Sequence, residues 1–200
     1  MFDWLRRKRQ TPSTTAPERQ EAVRLEDVPL LPPETEEDSL PEMGGPFMIR
    51  PLEDDDESAL PKIFRAAIHG QAALFYTAEQ CEAWATSAAD ATPFIARLRE
   101  GVTIVAELDG RAGAFAQLHP ADTIQMMYVA PGLGGYGIAT LMCQYLEDEA
   151  RIAGTSVLQT RASLAAKKFF ETMGFKSIDT EEVTRGDALL VRHIMEKKLR

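Results

Sequence analysis

The chain has 200 residues with 44% hydrophobic content, room for one domain with a tail or for two very small ones. A formal net charge of −9 and a pI near 4.9 exclude a general nucleic-acid binder, whose footprint is a basic face. Cys81 and Cys143 are too few for a disulfide framework and read as reduced core thiols. No apolar run approaches the roughly 18 residues of a membrane helix, and "MFDWLRRKRQ" lacks the apolar stretch of a secretory signal. The expectation is therefore a cytoplasmic protein without a membrane span, a nucleic-acid partner or a metal site.

Residues 1–46 hold 7 of the 12 prolines and show no apolar periodicity. Such a segment cannot bury enough surface to offset its ordering entropy, so a disordered Pro-rich acidic tail is expected there. It splits by charge. Arg6, Arg7, Lys8 and Arg9 oppose only Asp3 at its start, and nine acids oppose Arg19 and Arg24 over 11–46. The basic head, with Phe2, Trp4 and Leu5, reads as a solvated tail start or as a patch for a membrane surface or partner.

From residue 47 the pattern becomes regular. "FMIRPL" (47–52) reads as a strand, and the acids of "EDDDES" lead into a helix over "ALPKIFRAAIH". In "TAEQCEAWATS", Thr77 and Gln80 form a capping box for a second helix. "TPFIARLRE" predicts a third, capped by Asp90 or Thr92, with Pro93 in its first turn. "GVTIVAEL" and "RAGAFAQL" flank Asp109-Gly110, a strong hairpin signal, and "TIQMMYVA" is the next strand. Ile138, Leu141, Met142, Tyr145 and Leu146 then recur at helical spacing as far as Gly154. "SVLQT" predicts a strand and "SLAAKKFFETM" a helix closed by Gly174. "KSIDTEEV" and "DALLVRHIME" predict two last strands around Arg185-Gly186.

The stretch "VAPGLGGYGIATLM" (129–142) carries four glycines in six residues between a strand and a helix. Glycines let the backbone turn and approach a ligand closely, and the helix's first amides favour an anion such as a pyrophosphate. Gly132, Gly134 and Gly137 spell G-x-G-x-x-G, yet a dinucleotide fold wants that loop after the first strand of a parallel sheet. Here it follows a hairpin-linked meander, and only 63 residues remain after Gly137. Arg161, on the next strand, is the one residue suited to a 2′-phosphate. No Gly-Lys-Ser/Thr closes the run, which excludes a Walker loop.

Read from Gly134 instead, "V-x-P-x-x-G-G-Y-G-I-A" resembles the acyl-coenzyme A loop of the GNAT N-acetyltransferase superfamily, Gln/Arg-x-x-Gly-x-Gly/Ala. Gly134 stands where Gln or Arg is usual, Gly137 at the obligatory glycine and Ala139 at the last small residue. "Ser163-Leu-Ala-Ala-Lys-Lys-Phe-Phe170-Glu-Thr-Met-Gly174-Phe175" is similar to the family's later motif, Asn-x-x-Ala-x-x-Phe-Tyr-x-x-x-Gly-Phe. Element order agrees, and the resemblance covers 47–200.

The resemblance implies an α+β fold: a mixed, mostly antiparallel sheet flanked by helices and splayed between the strands at 123–130 and 155–160. It implies acetyl-CoA as co-substrate, its pantetheine pairing with main-chain groups from Met127 to Val129. A Val129 N–H would meet the thioester oxygen. Amides of Gly134, Gly135, Tyr136, Gly137, Ile138 and Ala139 would hold the pyrophosphate. Ser163 would reach the pantetheine or cap its helix, and Phe170 would complete the clamp. Phe170 occupies the position of the family's frequent acid, a tyrosine. Tyr128, at the sheet gap, and Tyr76, before the second helix, are then the candidate acids, while Tyr145 fits its helix's core face. Gln125 stands where the family often has a base, which leaves His69, His119 and His193.

Two functions follow. One is an N-acetyltransferase of a small-molecule or protein amine, the negative domain favouring a cationic acceptor, as monomer or homodimer. The other is a non-catalytic module that binds acyl-CoA or a partner.

Overall fold

Four strands pair antiparallel in chain order to form one half of a sheet: β1 (Met48–Pro51), β2 (Val102–Leu108), β3 (Arg111–Leu118) and β4 (Thr123–Val129). The computed structural model describes residues 47–200, so the tail expected over 1–46 lies outside the described residues. Three helices connect β1 to β2: α1 (Leu60–Gln71), α2 (Ala78–Ala85) and α3 (Ala91–Leu98). After β4 come α4 (Ile138–Ile152), β5 (Val157–Ser163), α5 (Lys167–Thr172), β6 (Lys176–Arg185) and β7 (Ala188–Lys198). The seven-stranded order is β1-β2-β3-β4-β5-β7-β6, and only the β4–β5 pair is parallel. This is the mixed, mostly antiparallel α+β sheet that the sequence implied.

The local signals act as chemistry predicts. Thr77 Oγ1 accepts from the Gln80 N–H at 3.2 Å, and Gln80 Oε1 accepts from the Thr77 N–H at 2.9 Å. Asp90, rather than Thr92, caps α3. Asp109 (φ 49°) and Gly110 (φ 73°) make the tight β2–β3 turn, where positive φ at both central positions matches the twist of the strands.

Alternation along the strands builds a core on each face. Phe94, Phe115, Leu60 and Leu98 fill the α1–α3 side; Ile104, Ile124, Met142, Leu146 and Met195 fill the α4–α5 side. Ala114 and Ala116 of β3 give α4 a flat seat. Buried polar groups are paired. Gln117 Nε2 donates to the carbonyls of Arg97 and Glu100 and closes the end of α3. Glu147 accepts from Lys197 Nζ at 2.6 Å. Cys81 and Cys143 are free and buried, and burial pushes the Cys143 thiol up to about 12.

Two expectations change. Tyr145 is 39% exposed rather than in the core. The buried stripe of α4 turns toward Cys143 and Glu147, where Glu147 meets Lys197 of β7. The helix expected from residue 163 begins at Lys167, because β5 runs on to Ser163 before the chain turns.

Asp56, almost fully buried in the 3₁₀ turn Asp54–Ser58, takes a forked pair from Arg50 at 2.7 and 2.9 Å, and Arg50 also reaches Glu107. Burial alone would raise the Asp56 pKa, but the bonds from Arg50 and the Glu53 N–H outweigh it and hold the carboxyl below its ordinary value. Its stabilisation is complete above the unfolded value, near 4, and disappears as pH falls through the lower folded value. Asp56→Asn should therefore destabilise the protein by about 2–3 kcal/mol at neutral pH. Urea unfolding should show the difference narrowing as pH falls below about 4.

Candidate active site

Pairing between β4 and β5 covers only Thr123–Gln159 and Ile124–Thr160. Beyond Ile124 the strands part, as the splay predicts. Gln125 is an extra residue in β4: Met126 pairs with Gln117 and Ile124 with Leu118, so Gln125 bulges out and is exposed. Bulges re-aim side chains, and this one puts Met126 and Tyr128 on the α1–α3 face and Met127 and Val129 on the other. The Ala130 N–H donates to the Gly113 carbonyl at 2.9 Å. Antiparallel bonding alternates, so Tyr128 bonds toward β3, while Met127 and Val129 turn N–H and C=O to the gap. Gln71 Nε2, from α1, approaches the Val129 carbonyl at 3.4 Å.

The glycine loop leaves β4 at this gap. Pro131 rests on Gly70 and Leu133 on Gly113, two glycines whose missing Cβ makes the approach possible. Gly135 (φ 87°) and Gly137 (φ 80°) are left-handed, which only glycine adopts cheaply. Gly134 is not left-handed, and open space surrounds its Cβ position. The first bond of α4 runs from the Leu141 N–H to the Gly137 carbonyl, leaving the amides of Ile138, Ala139 and Thr140 without intrahelical acceptors.

A cavity of about 420 Å³ lies between the gap, this loop and the start of α5. Met127, Val129, Gly134, Gly135, Gly137, Ile138, Ala139, Ser163 and Phe170 line it. Tyr136 does not; its side chain is half exposed to solvent. Ile68 and Gln71 of α1 also line it, and no local motif marks them. Ser163 Oγ accepts from the Ala166 N–H at 3.1 Å, closing the turn ahead of α5 rather than capping the helix itself. Phe170 is buried between Phe169 and Phe175, edge to face with both.

A second cavity, of about 450 Å³, opens on the α1–α3 face. Trp84, Tyr128 and Ser163 line both cavities. Tyr128 packs among Phe64, Trp84 and Phe115, and burial holds its pKa well above the ordinary tyrosine value, with the Trp84 indole offsetting this only in part. It therefore keeps its proton at neutral pH.

Tyr76 also lines the second cavity, but its hydroxyl is committed. It donates to the Val191 carbonyl at 2.7 Å and accepts from the Leu164 N–H at 2.9 Å. That geometry makes it a latch holding the start of α2 to β7 and to the end of β5. Gln125 lines the second cavity. The histidines line neither: His69 faces Glu82, His119 faces Glu100 and His193 meets Ser177. Arg161 lies in the second cavity, away from the glycine loop, so it is not placed for a dinucleotide 2′-phosphate.

The family profile described as acetyltransferase (GNAT) domain matches residues 72–199. A GCN5-related N-acetyltransferase structure from Rhodopseudomonas palustris is 34% identical, with TM-score 0.75, over 78% of this chain and 97% of that one. The PaiA N-acetyltransferase of Thermoplasma acidophilum, in complex with coenzyme A, is 20% identical, with TM-score 0.64, over 78% of this chain and 100% of that one. YncA of Salmonella typhimurium with acetyl-CoA is 20% identical, with TM-score 0.58, over 78% and 95%. Comparison with functionally curated proteins returns no match. The chain belongs to the GNAT acetyltransferase superfamily, whose co-substrate is acetyl-CoA.

Tyr76→Phe should keep the aromatic packing and lose both bonds of the latch. Chemical unfolding should report a loss of about 1–3 kcal/mol. Turnover below the unfolding transition should fall much less than a lost catalytic acid requires.

Proposed function

We propose that residues 47–200 form the domain of an N-acetyltransferase that moves the acetyl group of acetyl-CoA directly to an amine. The observation that carries this is the position of Tyr128. Its side chain lines both the cavity at the open edge of β4 and the second cavity, so a donor in one and an acceptor in the other would meet beside it.

The residues present suit the donor. The left-handed glycines and the free first amides of α4 offer N–H groups to a pyrophosphate. The gap-facing groups of Met127 and Val129 offer a strand-like edge to pantetheine. When bound, acetyl-CoA supplies an acetyl thioester. A Val129 N–H would polarise its carbonyl oxygen. Tyr128, whose side chain lines both cavities, is the group placed to protonate a departing thiolate, although burial raises its pKa and makes it a weaker donor. Ser163 Oγ is tied to Ala166, so its contribution is to shape the wall. Among the described residues lining the second cavity there is no carboxylate or histidine, so the amine's proton leaves to water through the open face.

That missing base also favours the second reading, an acyl-CoA-binding module without turnover. Coenzyme A release across an amine panel decides between them. Calorimetry with acetyl-CoA tests both, because absence of binding sinks both. Gly137→Ala should weaken that binding about tenfold or more, since a left-handed alanine costs about 1–2 kcal/mol. Gly134→Arg, with open space and an ordinary φ, should bind at least as tightly as the parent, and more tightly if the new side chain reaches a phosphate.

Tyr128→Phe should lower kcat about 100-fold with the KM for acetyl-CoA unchanged. Unaltered kcat would move the acid role to another group.

A further inference from the structure

The second cavity contradicts the chain's overall charge. Its lining holds Arg97, Arg161, Arg185 and Arg192 and no carboxylate, although the chain carries a formal charge of −9. Arg161 and Arg192 share one acid, Glu181, at 3.3 and 2.7 Å. Arg97 and Arg185 have no carboxylate partner among the described residues. Arg97 donates to the Ser87 carbonyl and lies over the Phe94 ring, and Arg185 donates to the Thr184 carbonyl. Four arginines thus line one cavity, and one carboxylate pairs with two of them.

The arrangement follows from the sheet. Register sets Glu181 opposite Arg192 and Ser163 opposite Arg192, so β5, β6 and β7 point these charges to the same face. α3 adds Arg97 to the same lining. Like charges converging on a concave, partly desolvated wall repel one another unless a counter-ion completes the site. Guanidinium forks match the two oxygens of a carboxylate or phosphate. Between the arginines and Tyr128 the wall is apolar, with Phe64, Trp84, Phe94 and Leu190. A volume of about 450 Å³ suits a small molecule.

We infer that the acceptor is a small amine that also carries an oxyanion, a carboxylate or a phosphate, held by Arg97, Arg185 and Arg192. This rests on the acetyltransferase reading and names the substrate class of that site. It reverses the cationic acceptor expected from net charge, because a sum over the chain does not describe one wall of it. In the reaction, the amine nitrogen bonds to the thioester carbon and the carbon–sulfur bond breaks. The amine releases one proton and the thiolate takes one. The oxyanion stays bound to arginine throughout and fixes where the nitrogen points.

The test is coenzyme A release by the full chain over matched amines: phenylalanine against phenylalaninamide, phosphoethanolamine against ethanolamine, and spermidine as a polycation. The expected result is at least tenfold higher kcat/KM for an anionic member than for its neutral partner. The first pair reports a carboxylate, the second a phosphate. Arg185→Gln should raise the KM for the preferred anion at least tenfold and leave acetyl-CoA affinity unchanged. Preference for spermidine or for the neutral partners, or an unaltered KM in Arg185→Gln, would overturn the inference. If acetyl-CoA binds but no amine turns over, N-acetylphenylalanine and inorganic phosphate are titrated against Trp84 fluorescence in a Trp4→Phe background. Saturable quenching lost in Arg185→Gln supports the anion site, and no quenching overturns it. Loss of acetyl-CoA binding, by contrast, sinks the acetyltransferase reading and leaves that titration to judge the cavity by itself.

Discussion

The site depends on one break in main-chain pairing. A sheet holds together because each strand satisfies the hydrogen-bonding groups of its neighbour. Here β5 leaves β4 after Ile124 and commits its remaining length to β7. The second half of β4 keeps only β3, so N–H and C=O groups at Met127 and Val129 face open space. The separation is held by packing. Tyr128 stacks on Phe115 and meets Phe64 and Trp84, while Tyr76 ties α2 to β7 and to the end of β5. Both cavities and the glycine loop are arranged around that opening.

The two tyrosines show how environment divides a shared chemistry. The Tyr76 hydroxyl uses its donor and an acceptor position on main-chain partners, which makes it part of the scaffold. Tyr128 has its pKa raised by burial, keeps its proton at neutral pH and lines both cavities. Charge divides in a similar way. The acidic surface and the arginine-lined wall belong to one chain, and only the register of β5, β6 and β7 gathers Arg161, Arg185 and Arg192 on one face.

Much of the architecture was legible because its signals are local. The Thr77–Gln80 box, the Asp109-Gly110 turn and the stop at Gly154 each act within a few residues, and each stands where the pattern put it. The glycine run was legible for the same reason, since left-handed Gly135 and Gly137 are properties of the residues themselves. Long-range choices were not legible. Tyr145 is partly exposed while Glu147, on the buried stripe of the same helix, meets Lys197, 50 positions away. The histidines, left by residue type as surface groups or candidate bases, lie outside both cavities, beside Glu82, Glu100 and Ser177.

The sequence by itself determined the element order, the family and the glycine loop, because short-range propensity and motif spacing need no folded partner. Only the tertiary structure decided that Tyr76 is a latch, that Tyr128 joins two cavities and that Gln125 is pushed out by a bulge. It also decided that the second cavity is lined by arginines in an acidic chain. Those outcomes depend on which distant strands pair and in what register, and a one-residue shift would turn every side chain to the other face.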